Sequence, residues 1–125
     1  REWKSLHKIV ISANEEDGVP EVFEQYVSQV NSRTPAGSTP LHLAALGTNT
    51  ELVKALLYAG AKILRNHNRE TPLHWAAHGG SAAVFHLLLS HATKRQLMIK
   101  DKDGKTSMDW AYDTDRTDLH FSQPL

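Results

Sequence analysis

The chain has 125 residues, the length of one typical domain, so a second independent core is not expected. Its 14 Lys and Arg residues balance 14 Asp and Glu residues, and this zero net charge argues against a basic nucleic-acid-binding protein. Cysteine is absent from the sequence, which excludes a disulfide framework, a cysteine-ligated metal site and a thiol nucleophile.

The sequence carries no sign of a membrane span or a signal peptide. Its longest stretch without a formal charge, Thr71–Thr93, contains a proline, two glycines and four histidines, so we expect no membrane insertion. The chain starts with Arg1 rather than Met, and we expect it to be part of a longer protein. A small domain without disulfides is typical of reducing compartments, so we expect an intracellular protein of the cytoplasm or nucleus.

Residues 1–33 predict a first pair of helices. Apolar residues recur at helical spacing around Leu6 and Val10 and again from Val22 to Val30. The intervening residues 14–18 are polar, mostly acidic and end in glycine, which predicts a loop between the two helices.

A sequence pattern then recurs along the chain. STPLHLAA at residues 38–45 is followed 32 residues later by ETPLHWAA at residues 70–77, and a weaker copy, KTSMDWA, begins at Lys105. Thr39 and Thr71 can cap a helix N-terminus, and proline is tolerated in the first turn, so each full copy predicts the start of a short helix. A leucine and two alanines share one face of each helix, and alanine lets a neighbouring helix approach closely.

A second helix is predicted after each full copy. Residues 51–58 place four apolar side chains on one stripe, and residues 84–89 repeat this apolar pattern. The later helix leaves through a longer segment, residues 92–100, which predicts either an extra helical turn or a bulged loop. Polar, turn-rich residues at 65–70 and 101–105 predict hairpin-like projections between the units.

The Thr-Pro-Leu-His-x-Ala motif and the helix pair that contains it resemble the ankyrin repeat, from about Thr34 to Trp110. The resemblance implies an all-α solenoid of stacked helix-turn-helix units with β-turn or hairpin loops. Arg69 departs from the pattern, because the family usually has the turn glycine at that position. We expect a single domain of four units: a divergent N-terminal capping repeat, a full repeat, a full repeat with an extended exit loop, and a truncated C-terminal capping repeat, at residues 1–33, 34–65, 66–100 and 101–125.

Two motifs suggest chemistry but lack a required residue. His74 and His78 have the i, i+4 spacing of zinc ligands, but Trp75 stands where a zinc hydrolase needs its glutamate base. The segment Gly104–Thr106 lacks the earlier glycine of a phosphate-binding loop. The resemblance implies instead that the repeat histidines hydrogen-bond the turn backbone. We predict no catalytic residue, no metal and no cofactor, with a histidine-dependent metal enzyme as the less favoured alternative.

The resemblance also implies a protein-interaction module that binds a partner protein through its concave groove and hairpin tips. A targeting or regulatory segment of a larger enzyme, or of a bacterial effector acting in a host cell, is the alternative. The family's contact positions on the hairpins correspond to Pro35, Ala36, Ser38, His67, Asn68, Glu70, Lys102, Asp103 and Lys105. Those on the first helices correspond to Leu43, Leu46, Trp75, His78, Trp110 and Asp113.

Two of these positions, Trp75 and Trp110, are the most informative. Tryptophan is a favoured anchor at protein interfaces, and the two rings are expected to form an apolar strip along the groove. The alternative is that neighbouring hairpins or the capping repeats cover them.

The charges are unevenly distributed along the chain. Residues 36–65 carry two net positive charges and residues 66–100 carry three, whereas residues 1–35 and 101–125 are acidic. A mildly basic middle predicts a partner segment that is acidic or amphipathic.

Overall fold

The computed structural model describes residues 4–13 and 18–113, and every regular element within these ranges is helical. This confirms the predicted all-α class. Residues 1–3, 14–17 and 114–125, which include most of the predicted acidic loop and the outer ends of both predicted capping repeats, lie outside the described residues. The elements in chain order are α1 (Ser5–Ser12), a 3-10 helix (Glu21–Gln29), α2 (Pro40–Ala45), α3 (Thr50–Tyr58), α4 (Pro72–Gly79), α5 (Ala82–His91), α6 (Lys94–Leu97) and α7 (Ser107–Asp113).

The helices α2 and α4 begin in the predicted way. The hydroxyl of Thr39 accepts a hydrogen bond from the backbone N–H of His42, and Pro40 occupies the first turn. Thr71, Pro72 and His74 repeat this arrangement at the start of α4. Each threonine satisfies one of the backbone donors that a helix leaves unpaired at its N-terminus, which fixes where the helix starts.

A buried histidine connects each first helix to the hairpin that follows. In His42, Nδ1 accepts from the backbone N–H of Thr39 at 3.0 Å, so Nε2 carries the proton and donates to the carbonyl oxygen of Glu70 at 2.8 Å. His74 makes the same pair of bonds to Thr71 N–H and to the Lys105 carbonyl, at 3.0 and 2.9 Å. We call these contacts, with the one described next, the histidine bridges.

The first helix pair contains the same bridge. His7 Nδ1 accepts from the backbone N–H of Lys4, and its Nε2 donates to the Ser32 carbonyl, both at 2.9 Å. The second element of this pair departs from the expected α-helix, because it is a 3-10 helix interrupted at Tyr26, whose backbone has φ −123° and ψ 17°. The bridge geometry therefore extends to a segment whose sequence shares only Leu-His with the later units.

Small residues bring the units close together. Helix α2 packs against α1 and α4, and α4 packs against α7, with the paired alanines of α2 and α4 buried. Gly80 lies at the end of α4, where a Cβ atom would stand 2.2 Å from the carbonyl oxygen of Ala45. No larger residue fits there without moving the backbone, so this glycine sets the distance between adjacent units. The largest core side chains between the layers include Leu41, Leu52, Leu56, Leu73, Phe85 and Leu88.

The hairpins between units share one closing hydrogen bond and one positive-φ position. Backbone N–H groups of Thr34, Asn66 and Asp101 donate to the carbonyl four residues later. Gly37 and Gly104 adopt φ of 86° and 82°, and Arg69 adopts φ of 66° at the equivalent place. Arg69, which departs from the family pattern, therefore has a left-handed backbone conformation. This conformation is unfavourable for a residue that has a side chain.

The segment after α5 contains the extra helical turn, one of the two predicted alternatives. Thr93 caps the short helix α6, and Gln96 completes the capping box. The weaker third copy also begins a helix, α7, where the Thr106 hydroxyl accepts from the Asp109 N–H at 3.2 Å. Ser107 takes the place of proline there; its side chain is buried, and its hydroxyl has no hydrogen-bond partner among the described residues.

Replacing Arg69 by Gly should stabilise the domain. Glycine adopts positive φ without the steric cost that an L-residue carries, so the free energy of unfolding should rise by about 1 kcal/mol. Chemical denaturation of Arg69→Gly beside Arg69→Ala measures this. Alanine removes the exposed side chain but keeps the strain, so equal stability of the two variants would contradict the explanation.

Replacing Ser107 by Pro should also stabilise the domain. The change removes a buried unpaired hydroxyl and restricts the unfolded chain, and we expect a gain of about 1 kcal/mol in the free energy of unfolding. Ser107→Ala removes the hydroxyl alone and separates the two contributions in the same measurement. A loss of stability in both variants would show that the hydroxyl makes a favourable interaction.

The histidine bridges predict a loss of stability in mild acid. Burial lowers the pKa of His42 to about 4 from its ordinary 6.5, and burial also lowers the pKa of His7 and His74. The unfolded chain therefore binds protons before the native state does. Stability should be greatest above pH 6.5 and fall as the pH drops toward 4, with His42 alone contributing roughly 3 kcal/mol over that window.

Urea denaturation between about pH 7.5 and pH 4.5 tests this dependence. In His42→Gln the pH dependence should be smaller, because one titrating group is gone, although the variant is less stable at every pH. A wild-type free energy of unfolding that stays constant down to pH 4.5 would contradict the neutral state of the bridges.

Candidate functional site

The first helices and the hairpins form a groove with a volume of about 440 Å³. It is lined by Leu46, Glu70, Trp75, His78, Trp110 and Asp113, and we call it the tryptophan groove. All six residues are among the partner-contact positions inferred from the resemblance. The structure thus brings together side chains that lie up to 67 positions apart in the sequence.

Trp75 is held in the groove by its own hairpin and by the preceding unit. Its indole Nε1–H donates to Glu70 Oε1 at 2.9 Å. Its ring lies edge-on to the bridging His42, with ring centroids 5.1 Å apart. Glu70 in turn accepts from Asn66 Nδ2 at 3.1 Å, which fixes the carboxylate beside the ring.

Trp110 repeats this arrangement one unit later. Its Nε1–H donates to Asp101 Oδ2 at 2.8 Å, and its ring lies edge-on to His74 and His78, at centroid distances of 5.2 and 6.0 Å. The sequence predicted that these positions face the groove and are not required by the core. Both rings do line the groove, but each also packs on a histidine bridge and so belongs partly to the interior.

The charged groups around Trp110 are held in defined states. Burial raises the pKa of the Asp101 carboxyl, but the hydrogen bonds from the Lys105 N–H, Trp110 Nε1–H and Asp103 N–H outweigh this and lower its pKa overall. Lys105 Nζ donates to Asp113 Oδ2 at 2.6 Å, and this bond raises the pKa of Lys105. Asp101 is therefore an anion at the N–H edge of the Trp110 ring, and Asp113 shares its charge with one lysine.

The lining of the groove differs in charge from the repeats that form it. Glu70 and Asp113 are carboxylates, and none of the six lining residues is Lys or Arg. The net positive charge of residues 36–100 lies on side chains outside this lining. The expectation of an acidic partner, which depended on the summed charge of whole units, is not supported by the groove itself.

Most of the remaining predicted contacts lie on the hairpins. The hairpin tips are exposed and bonded to one another, since His67 N–H donates to the Ala36 carbonyl and Lys102 N–H to the Asn68 carbonyl, both at 3.0 Å. Pro35 and Asp103 are exposed at these tips. The prediction that Ser38 contacts a partner is corrected by its burial, since the residue is only 3% exposed. Its N–H donates to the Thr34 hydroxyl, and its own hydroxyl accepts from Asn66 Nδ2, so both groups are used within the hairpins.

Leu43 lies beside the tryptophan groove, and its predicted contact with a partner stays a prediction. It lines a separate hollow of about 260 Å³ between α1 and α2, rather than the tryptophan groove. Leu46 lines both, so the two depressions are adjacent. The hollow also contains Ile11, which is 56% exposed and was not among the predicted contacts. Aligning Leu6-His7 with Leu41-His42 places Ile11 level with Leu46, and that register is the signal that could have found it.

The histidine pair considered as a zinc site has another role. Both ring nitrogens of His74 bond to the backbone, which leaves neither lone pair for a metal. Within residues 4–13 and 18–113, no three His, Cys, Asp or Glu side chains are placed to hold a metal ion. In the same ranges, no helix is long and apolar enough to cross a membrane.

Known proteins with similar sequences share this organisation. A family model described as "Ankyrin repeats (3 copies)" matches residues 6–98. Protein ACCELERATED CELL DEATH 6 of Arabidopsis thaliana is 32% identical over 100 residues, covering 68% of this chain and 15% of that protein. The Nuclear factor NF-kappa-B p105 subunit of Gallus gallus is 37% identical over 81 residues, covering 64% of this chain and 8% of that protein.

Protein phosphatase 1 regulatory subunit 12A of Mus musculus is 34% identical over 77 residues, covering 61% of this chain and 7% of that protein. The chain thus spans only a small part of the length of these relatives. The family match begins at residue 6, inside the segment expected to be a divergent cap, and it includes His7 and Ser32 of the first histidine bridge. The motif, the stacked helices and the family match together show that this chain belongs to the ankyrin-repeat family.

Proposed function

We propose that this chain is a non-catalytic protein-interaction module that binds a partner protein in the tryptophan groove, with the hairpin tips as the rim of the interface. The observation that carries the proposal is the convergence of Leu46, Trp75 and Trp110 in one groove beside polar side chains. Ankyrin repeats generally serve in protein interaction, and their scaffold is typically not catalytic.

The rigidity of the groove supports this function. Each tryptophan is fixed by a hydrogen bond and by an aromatic contact to a buried histidine. A side chain that is already ordered loses little conformational entropy when a partner binds. Half-buried tryptophans in such a setting are the residue type that contributes most to protein interfaces.

A regulatory or targeting role within a longer protein is the second candidate. It is favoured by the small share of each relative that the chain spans, 15% or less in the three described above. One of those relatives carries the name of a phosphatase regulatory subunit. In this role the groove binds in the same way, and the bound protein is brought to an activity located elsewhere in the longer protein.

A matched pair of charge substitutions tests the proposed surface. Leu46→Lys places an ammonium group in the groove lining, where the side chain is 43% exposed, and should reduce capture of partner proteins at least about tenfold. Tyr58→Lys makes a comparable change at a side chain that is 98% exposed and outside the groove. It should leave capture unchanged.

The measurement is a quantitative pull-down from cells that express the protein, with the free energy of unfolding recorded for both variants. Both substitutions lie at exposed positions and should change stability by less than about 1 kcal/mol. Equal capture by the two variants would refute the groove as the binding surface, and a selective loss with Tyr58→Lys would move the interface to the other face.

A further inference from the structure

The chemistry of the tryptophan groove indicates one kind of side chain on the partner. Each indole has a single hydrogen-bond donor. In both tryptophans that donor is already bonded to a carboxylate of the hairpin that precedes the tryptophan's own helix. What the two rings offer to a ligand is therefore their π surface. Such a surface suits an apolar group or a cation.

The charges decide between these two occupants. A carboxylate that accepts from an indole N–H polarises the ring toward greater electron density, which strengthens its attraction for a cation. Glu70 does this for Trp75, and the buried anion Asp101 does it for Trp110. Glu70 and Asp113 also line the groove directly. These three carboxylates, Glu70, Asp101 and Asp113, favour a positively charged occupant over an aliphatic one.

We infer that the tryptophan groove receives an arginine side chain of the partner protein, with the guanidinium on the indole surface and paired with Glu70. This inference rests on the proposed function and names the chemistry of the partner at that site. Arginine suits the site better than lysine because its planar guanidinium can stack on an aromatic ring and at the same time donate a charge-assisted hydrogen bond to a carboxylate oxygen such as Glu70 Oε2.

Glu70 is the principal recognition group for two reasons. Its described hydrogen bonds, from Trp75 and Asn66, are both on Oε1, and a carboxylate has capacity for further donors. Asp113, in contrast, shares its charge with Lys105 at 2.6 Å. The groove volume of about 440 Å³ lies within the range of clefts that enclose small ligands, which is sufficient for one long side chain.

The test uses a phage-displayed library of random linear heptapeptides selected on the wild-type protein, because the natural partner is unidentified. Arginine should be enriched at one position of the bound peptides. A synthetic peptide carrying the enriched sequence is then compared with the same peptide in which citrulline, a neutral isostere, replaces that arginine. The dissociation constants, measured by calorimetry, should differ by about tenfold or more, the scale of a charge-assisted pair.

The protein side of the test removes one carboxylate at a time. Glu70→Gln keeps the acceptor oxygen for Trp75 and Asn66 but removes the charge, and it should weaken the arginine peptide about tenfold. Glu51→Gln is the matched control, since it removes the same charge from an exposed pair with Lys54 on α3, outside the groove lining. Its affinity should equal that of the wild type.

The outcomes separate the two levels of the proposal. Bound peptides that lack an enriched arginine, yet lose binding with Leu46→Lys, would overturn the arginine inference and leave the interaction function standing. Equal affinities of the Glu70→Gln and Glu51→Gln proteins would likewise overturn the inference. Recovery of no binding peptide at all would count against both the inference and the proposed function.

Discussion

The structure depends on one repeated constraint: a neutral histidine must be buried with both ring nitrogens bonded to backbone. Its Nδ1 is committed to the threonine or lysine that starts its own helix, and its Nε2 to a carbonyl at least 25 residues later. Burying a polar ring without these partners would cost free energy. The favourable arrangement therefore fixes the position of the next hairpin along the helix. Local capping and the stacking of units are thus the same set of contacts.

The groove follows from this constraint. The indoles of Trp75 and Trp110 pack on the histidine bridge of the preceding unit. Close approach of the units, which Gly80 permits, brings those rings into one surface. Stability and recognition are therefore coupled, because the rings offered to a partner also shield the neutral histidines from water.

The sequence was sufficient to predict the parts of the fold that depend on local chemistry. These parts are the Thr-Pro helix starts, the helix faces of leucine and alanine, and the unusual residue Arg69. Each could be identified because it reflects a local requirement of the chain. The interruption at Tyr26 was not, since a 3-10 helix and an α-helix share nearly the same apolar spacing. The burial of Ser38 and the acidic lining of the groove were not predicted. Burial depends on which neighbouring unit packs over a residue, and the summed charge of a unit does not show which of its side chains face the groove.

The short helix α6 lengthens one unit without disturbing the binding face. The motif spacing grows from 32 residues between the first two copies to 35 before the third, yet the two tip-to-tip hydrogen bonds are both 3.0 Å long. The added residues lie after α5 and do not line the tryptophan groove, while the bridges hold the hairpins in register. This exit is therefore a permissive insertion point, at which sequence length can change in evolution or by loop grafting while the geometry of recognition is preserved.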